Sequence, residues 1–171
     1  MADGGAGDEF LYDVSLTVNS TRNTRWDTDE CLLGFVGTNA HTFTFTASDF
    51  GAVLAGYTDN FAWGTLSVQG TLSLFDANSA TSPGGAQYVG ILLGAAISGD
   101  SVTNITGNGL NIYYLPSLAE NGYLGGKTYS LNGSGSLIPI ASESPVPVPA
   151  AVWLFASGLV GLIGFRRRAR G

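Results

Sequence analysis

His41 is the only histidine in the chain and Cys31 the only cysteine. Any nucleophile–base pair, catalytic triad or histidine-based metal site would therefore have to be built around one of them. His41 opens an alternating stretch and shares parity with Phe43 and Phe45, which predicts a hydrogen-bonded histidine on a buried strand face. Gly99-Asp100-Ser101 has the form of one kind of esterase nucleophile block, but that pattern carries its histidine in a later Asp-x-x-His, and no histidine follows residue 41. The Gly133-Ser134-Gly135-Ser136 segment is not the Gly-x-Ser-x-Gly nucleophile turn. Cys31 excludes an internal disulfide framework and is read as a buried structural thiol. These residues point away from an enzyme.

Two kinds of binding chemistry remain. Asp27, Asp29 and Glu30, in Trp26-Asp27-Thr28-Asp29-Glu30-Cys31, could supply hard oxygen ligands to calcium, with Asp59 or Asp76 brought in from other loops. No EF-hand spacing or glycine–aspartate repeat accompanies them, so a solvated acidic loop is the simpler expectation. Tyr57, Phe61 and Trp63 could form an aromatic platform for sugar rings, against the plainer expectation of core aromatics. Charge narrows the partners further. All thirteen acidic residues lie between Asp3 and Glu143 and are opposed there only by Arg22, Arg25 and Lys127, a net charge of −10. Such a surface excludes a nucleic-acid partner, because phosphate binding needs a basic face.

The elements that must carry these residues are strands. In residues 10–19 every even position is apolar, and every odd position after Leu11 is polar, a period of two that buries one face and wets the other. Residues 65–74 repeat the pattern, with Leu66, Val68, Leu72 and Leu74 inward; the two Gly-Thr-Leu-Ser copies at Gly64 and Gly70 are read as one long strand with a glycine bend, not a solenoid repeat. Phe43 and Phe45 mark a third strand, and Tyr129, Leu131 and Leu137 a late one. Residues 88–97 are nearly all apolar, as in a strand covered on both faces. Residues 102–106 and 110–115 form a pair around the Gly107-Asn108-Gly109 turn. Short strands at this spacing and 25 glycines predict an all-β domain, an antiparallel β-sandwich of jelly-roll-like or immunoglobulin-like type. Helix is expected only as a turn or two in residues 48–56 and 117–121.

The end of the chain has a different character. Pro145, Pro147 and Pro149 stiffen a spacer, residues 150–165 carry no charge, and Arg166, Arg167, Arg168 and Arg170 hold four of the seven basic residues. Sixteen residues make a helix of roughly 24 Å against a hydrocarbon core of about 30 Å, short for a membrane span but apolar enough to insert. The arginines then act as a stop signal, keeping the C-terminus in the cytoplasm and everything before Pro145 outside.

Val146, Pro147, Val148, Pro149, Ala150 and Ala151, followed by Val152-Trp153-Leu154-Phe155, Ser157-Gly158-Leu159 and the arginine cluster, together resemble a PEP-CTERM sorting signal in its Val-Pro-x-Pro-Ala variant. The resemblance is limited to residues 145–171. It implies a Gram-negative envelope protein that is recognised in the inner membrane by an exosortase, cleaved near the proline motif, and passed to the cell surface or extracellular matrix. The nucleophile of that cleavage would belong to the exosortase, so Pro147 to Ala150 would be substrate. Export also requires an N-terminal signal, yet residues 1–9 are acidic and glycine-rich; the expectation is a signal peptide encoded upstream of Met1.

The sequence thus divides into a flexible N-terminus (1–9), a β-sandwich (10–138), a proline-rich linker with the sorting motif (139–149), a single transmembrane helix (150–165) and a basic cytoplasmic tail (166–171). The function expected is non-enzymatic: a structural or adhesive role in exopolysaccharide or biofilm, with a carbohydrate-binding module of the envelope as the alternative. The expected partners are the exosortase, the inner membrane transiently, and exopolysaccharide. No cofactor is expected apart from the calcium considered above.

Overall fold

The computed structural model describes residues 2–20, 26–77 and 84–140. The sorting motif, the apolar segment 150–165 and the arginine cluster lie outside the described residues. Among those described, no helix is long and apolar enough to cross a membrane.

The described residues form fourteen strands: β1 (Ala2–Asp3), β2 (Glu9–Tyr12), β3 (Ser15–Thr17), β4 (Trp26–Asp27), β5 (Leu32–Phe35), β6 (Ala40–Phe45), β7 (Trp63–Val68), β8 (Thr71–Asp76), β9 (Ala86–Leu93), β10 (Ile97–Ser98), β11 (Ser101–Thr106), β12 (Asn111–Tyr114), β13 (Tyr129–Asn132) and β14 (Ser136–Pro139). They coil. β2, β5, β7, β9, β12 and β14 stack in parallel on one side. β3, β6, β8, β11 and β13 stack in parallel on the other. Each turn of chain supplies one strand to each stack, and the antiparallel β13–β14 pair joins the stacks at the last turn. The fold is a β-solenoid. The expected antiparallel β-sandwich, jelly-roll-like or immunoglobulin-like, is incorrect.

The error has a local cause. Alternation reports which face of a strand is buried, not the direction of its neighbours. Where a continuous strand was expected over residues 10–19, β2 and β3 are separated by a corner at Asp13-Val14, and over residues 65–74 β7 and β8 are separated by Gln69-Gly70. A two-residue corner preserves parity, so Phe10, Tyr12 and Leu16 all pack on the core while lying in opposite stacks. The two Gly-Thr-Leu-Ser copies are therefore successive strands of one coil. Gly107-Asn108-Gly109, expected as a hairpin turn, is another corner; Asn108 and Gly109 adopt φ of 51° and 88°, and the Asn108 amide donates to Leu74 O at 2.9 Å.

The interior between the stacks is filled by Leu33, Phe35, Leu66, Val68, Leu92, Ile112 and Leu137 from one side and Phe43, Phe45, Leu72, Leu74, Val102, Ile105 and Leu131 from the other, all buried. Within the first stack Gly64 sits beside Gly90, between the register pairs Trp63–Val89 and Thr65–Ile91. A Cβ at Gly90 would fall 2.6 Å from Gly64 O, and one at Gly64 2.7 Å from Asp29 O. Inward parity changes across these glycines: Trp63 and Val89 face the core before them, Leu66 and Leu92 after.

A second, smaller apolar cluster of Ala62, Ala86, Tyr88, Tyr113 and Ile140 lies apart from this interior, which is why β9 reads as apolar on both faces. Chain segment 46–62, between β6 and β7, packs there through Ala52 and Tyr57. It includes the short 3-10 helix Leu54–Tyr57; a second one spans Ala119–Leu124. Both fall close to the turns expected from sequence.

Candidate functional site

Carboxylates, hydroxyls and aromatic rings gather where β4 and the following turn meet the end of the 46–62 segment. Trp26, Asp27, Thr28 and Asp29 form one wall of a cavity of about 260 Å³; Tyr57, Thr58, Asp59 and Ala62 form the other. The walls are tied by the Thr28 hydroxyl, which donates to Ala62 O at 2.6 Å. Thr28 O in turn accepts from Cys31 N at 3.0 Å and Gly64 N at 3.1 Å. Behind the cavity, Trp26 stacks at a tilt on Phe61 (5.4 Å between centroids) and edge-on against Trp63 (6.4 Å). Its indole Nε1 is buried without an acceptor among the described residues.

The second wall is held by a polar knot. The Asn60 side chain accepts from Ser48 N at 2.7 Å and donates to Ser48 O at 2.9 Å and Gly56 O at 3.0 Å. On either side Asp59 and Phe61 have φ of 53° and 56°, a left-handed conformation costly for a bulky residue such as phenylalanine. Further along, Asp49 accepts from Tyr113 OH at 2.9 Å, Gly51 N at 2.7 Å and Asn111 Nδ2 at 3.1 Å. Tyr88 OH donates to Gly51 O at 2.7 Å and accepts from Phe50 N at 2.9 Å. Tyr57 OH donates to Val89 O. Burial raises the hydroxyl pKa values of Tyr57 and Tyr88 strongly and pushes that of Tyr113 up to about 12, the Asp49 carboxylate adding to the last.

The residues singled out from sequence divide between cavity and core. Phe61 and Trp63 are 3% and 2% exposed, and Tyr57 is half-buried with its hydroxyl committed to Val89; the three present no open platform to a sugar ring. Asp27 and Asp29 do reach the cavity, and Asp59 joins them from the other wall. Glu30 is exposed and not part of the lining. Among the described residues, no three acidic, histidine or cysteine side chains are placed to hold a metal ion. Burial, then a side-chain hydrogen bond to Asp27 and the charges of Asp27 and Glu30, hold the Asp29 carboxyl above its usual range. Trp26, beside the acidic run in sequence, joins Tyr57 as an aromatic lining the cavity, a place that nothing in its local pattern marks.

His41 is 1% exposed, with Nε2 3.4 Å from Gly37 O and its ring against Phe35. Cys31 is fully buried; burial and the charges of Asp8, Asp27, Asp29 and Glu30 push its thiol up, away from the thiolate a nucleophile needs. Asp100 and Ser101 sit at the turn between β10 and β11.

No protein-family model matches the sequence, and no curated protein or solved structure gives a match to it.

Proposed function

We propose that this chain is an exported bacterial surface or matrix protein of the PEP-CTERM type, sorted and cleaved by an exosortase, in which the solenoid is the working part and serves a structural or adhesive role. The observation that carries the reading is the order of the C-terminal sequence: Val146 to Ala151, an uncharged apolar run, then Arg166, Arg167, Arg168 and Arg170. The solenoid suits such a role. Its outer positions carry threonine, serine and asparagine, and its core is closed without a disulfide. Replacing Pro147 and Pro149 by alanine tests the sorting step: the uncleaved form is expected to accumulate in the inner membrane. Unchanged processing and release of that variant would contradict the assignment of the motif.

A second reading, a carbohydrate-binding module, is favoured by the cavity beside Trp26. Carboxylates, threonine hydroxyls and an aromatic wall are the groups that hold a sugar's hydroxyls and its apolar face. Trp26→Ala is expected to abolish retention of the protein on the host's own exopolysaccharide. Full retention by that variant, with loss in none of the other cavity residues, would remove this reading.

A further inference from the structure

The twelve-stranded sheet runs from β2 through β14 and β13 back to β3, so its two free edges belong to the same first coil. At the opposite end no edge is free, because β13 and β14 bond to each other. In β2 the ladder to β5 uses alternate residues: Leu32 N donates to Asp8 O at 2.9 Å and Val36 N to Tyr12 O at 2.9 Å. That phase turns the backbone N–H and C=O of Glu9 and Leu11 away from β5. In β3, Thr42 N donates to Val14 O at 3.0 Å and Val18 N to Thr44 O at 2.8 Å, which turns those of Ser15 and Thr17 away from β6. No described strand pairs with either outer side; β1 pairs with β4 instead. Exposed Leu11 (54%) and Val14 (58%) add apolar surface to the same coil.

Free edges are ordinarily blunted against other strands, and the charges here select among occupants. Asp8, Glu9 and Asp13 are all exposed on this coil. The one lysine or arginine among the described residues is Lys127, between β12 and β13. A second copy docked end to end would bring like charges together, and a head-to-tail copy would present the closed end, which has no strand to offer. We propose that the β2–β3 edge is a docking surface for an extended basic segment of a partner protein, added as a strand, with its apolar residues on the core face beside the partly buried Phe10 and Tyr12 and its lysine or arginine side chains on the outer face against Glu9 and Asp13.

The test uses the full chain with a synthetic hexapeptide of alternating lysine and valine, and a glutamate–valine hexapeptide as the charge-reversed control. The lysine peptide is expected to bind, to slow amide exchange at Glu9, Leu11, Ser15 or Thr17, and to weaken as salt rises; the glutamate peptide is not. Leu11→Pro removes an outward N–H while leaving the bonds to β5, and should abolish binding with an unchanged circular dichroism spectrum. Should that variant not fold, the pair Glu9→Lys and Asp13→Lys decides, with an expected loss of about tenfold. Equal binding of both peptides, protection elsewhere in the chain, or a concentration-dependent dimer of the chain alone that protects the same amides would overturn the proposal, the last in favour of a second copy.

Discussion

Asp27 and Asp29 show how side chains brought together at one cavity reshape each other. A carboxyl held above its usual range is penalised when ionised in the folded state, and the penalty is relieved as pH falls through the raised value. Asp27→Asn removes a neighbouring charge, so it is expected to raise the melting temperature at neutral pH and to leave it unchanged in strong acid, where Asp29 is no longer ionised. Calorimetry of the variant across pH checks the sign; an equal effect at both ends would mean that Asp27 acts by packing. At this scale the sequence was partly legible. The solitary His41 and Cys31 and the acidic run stand out in it; the buried position of His41 follows from alternation, and that of Cys31 from the tendency of a free thiol to be buried. That Asp59 and Trp26 share a cavity with Asp27 and Asp29 did not, because their meeting depends on how segment 46–62 packs, and no local pattern encodes that.

Side-chain amides hold the solenoid's connections together. Asn121 accepts from Leu92 N at 3.0 Å and donates to Gly90 O at 2.8 Å and Leu115 O at 2.7 Å, fastening the Ala119–Leu124 turn to β9. Asn121→Ala leaves Leu92 N without this acceptor, while Gly90 O keeps Leu115 N at 3.2 Å and Leu115 O keeps Leu118 N at 3.3 Å, and is expected to cost about 1–3 kcal/mol, since a buried orphan carries that order of penalty. Denaturant unfolding measures it, and a loss below half a kilocalorie, about the level of a neutral surface change, would show that water replaces the amide. Strands were the legible part of the fold: the alternation around Phe43 and Phe45, at residues 102–106 and at residues 110–115 coincides with β6, β11 and β12. Their direction was not, because a corner such as Gln69-Gly70 keeps the inward parity that a single strand would show. The repeat was hidden too. Register partners step from Glu9 to Leu32 to Thr65 to Ile91, unequal intervals lengthened by segment 46–62, so no fixed period marks the coils.

Across residues 2–140, an acidic solenoid with one closed and one open end is fastened by tyrosines, Tyr57, Tyr88 and Tyr113 at the smaller outer cluster and Tyr114 in the interior. Tyr57, Tyr88, Tyr113 and Tyr114 all have hydroxyls held above their ordinary value chiefly by burial. An unfolded tyrosine ionises near pH 10, whereas the folded Tyr113 and Tyr114 do so at about 12. Between these values the unfolded state has released protons that the native state still binds, so stability falls as pH rises. Spectrophotometric titration should show tyrosine ionisation lagging and then completing together with unfolding. Free ionisation of all seven tyrosines near pH 10 in a still-folded chain would contradict the packing described. Mass spectrometry of the protein from cells with and without the exosortase decides whether the chain is sorted and cleaved as proposed. The expected C-terminus lies near Val146 to Ala151 when the exosortase is present and at Gly171 when it is absent. An intact Arg166-to-Gly171 end in the exosortase-containing cells would contradict it.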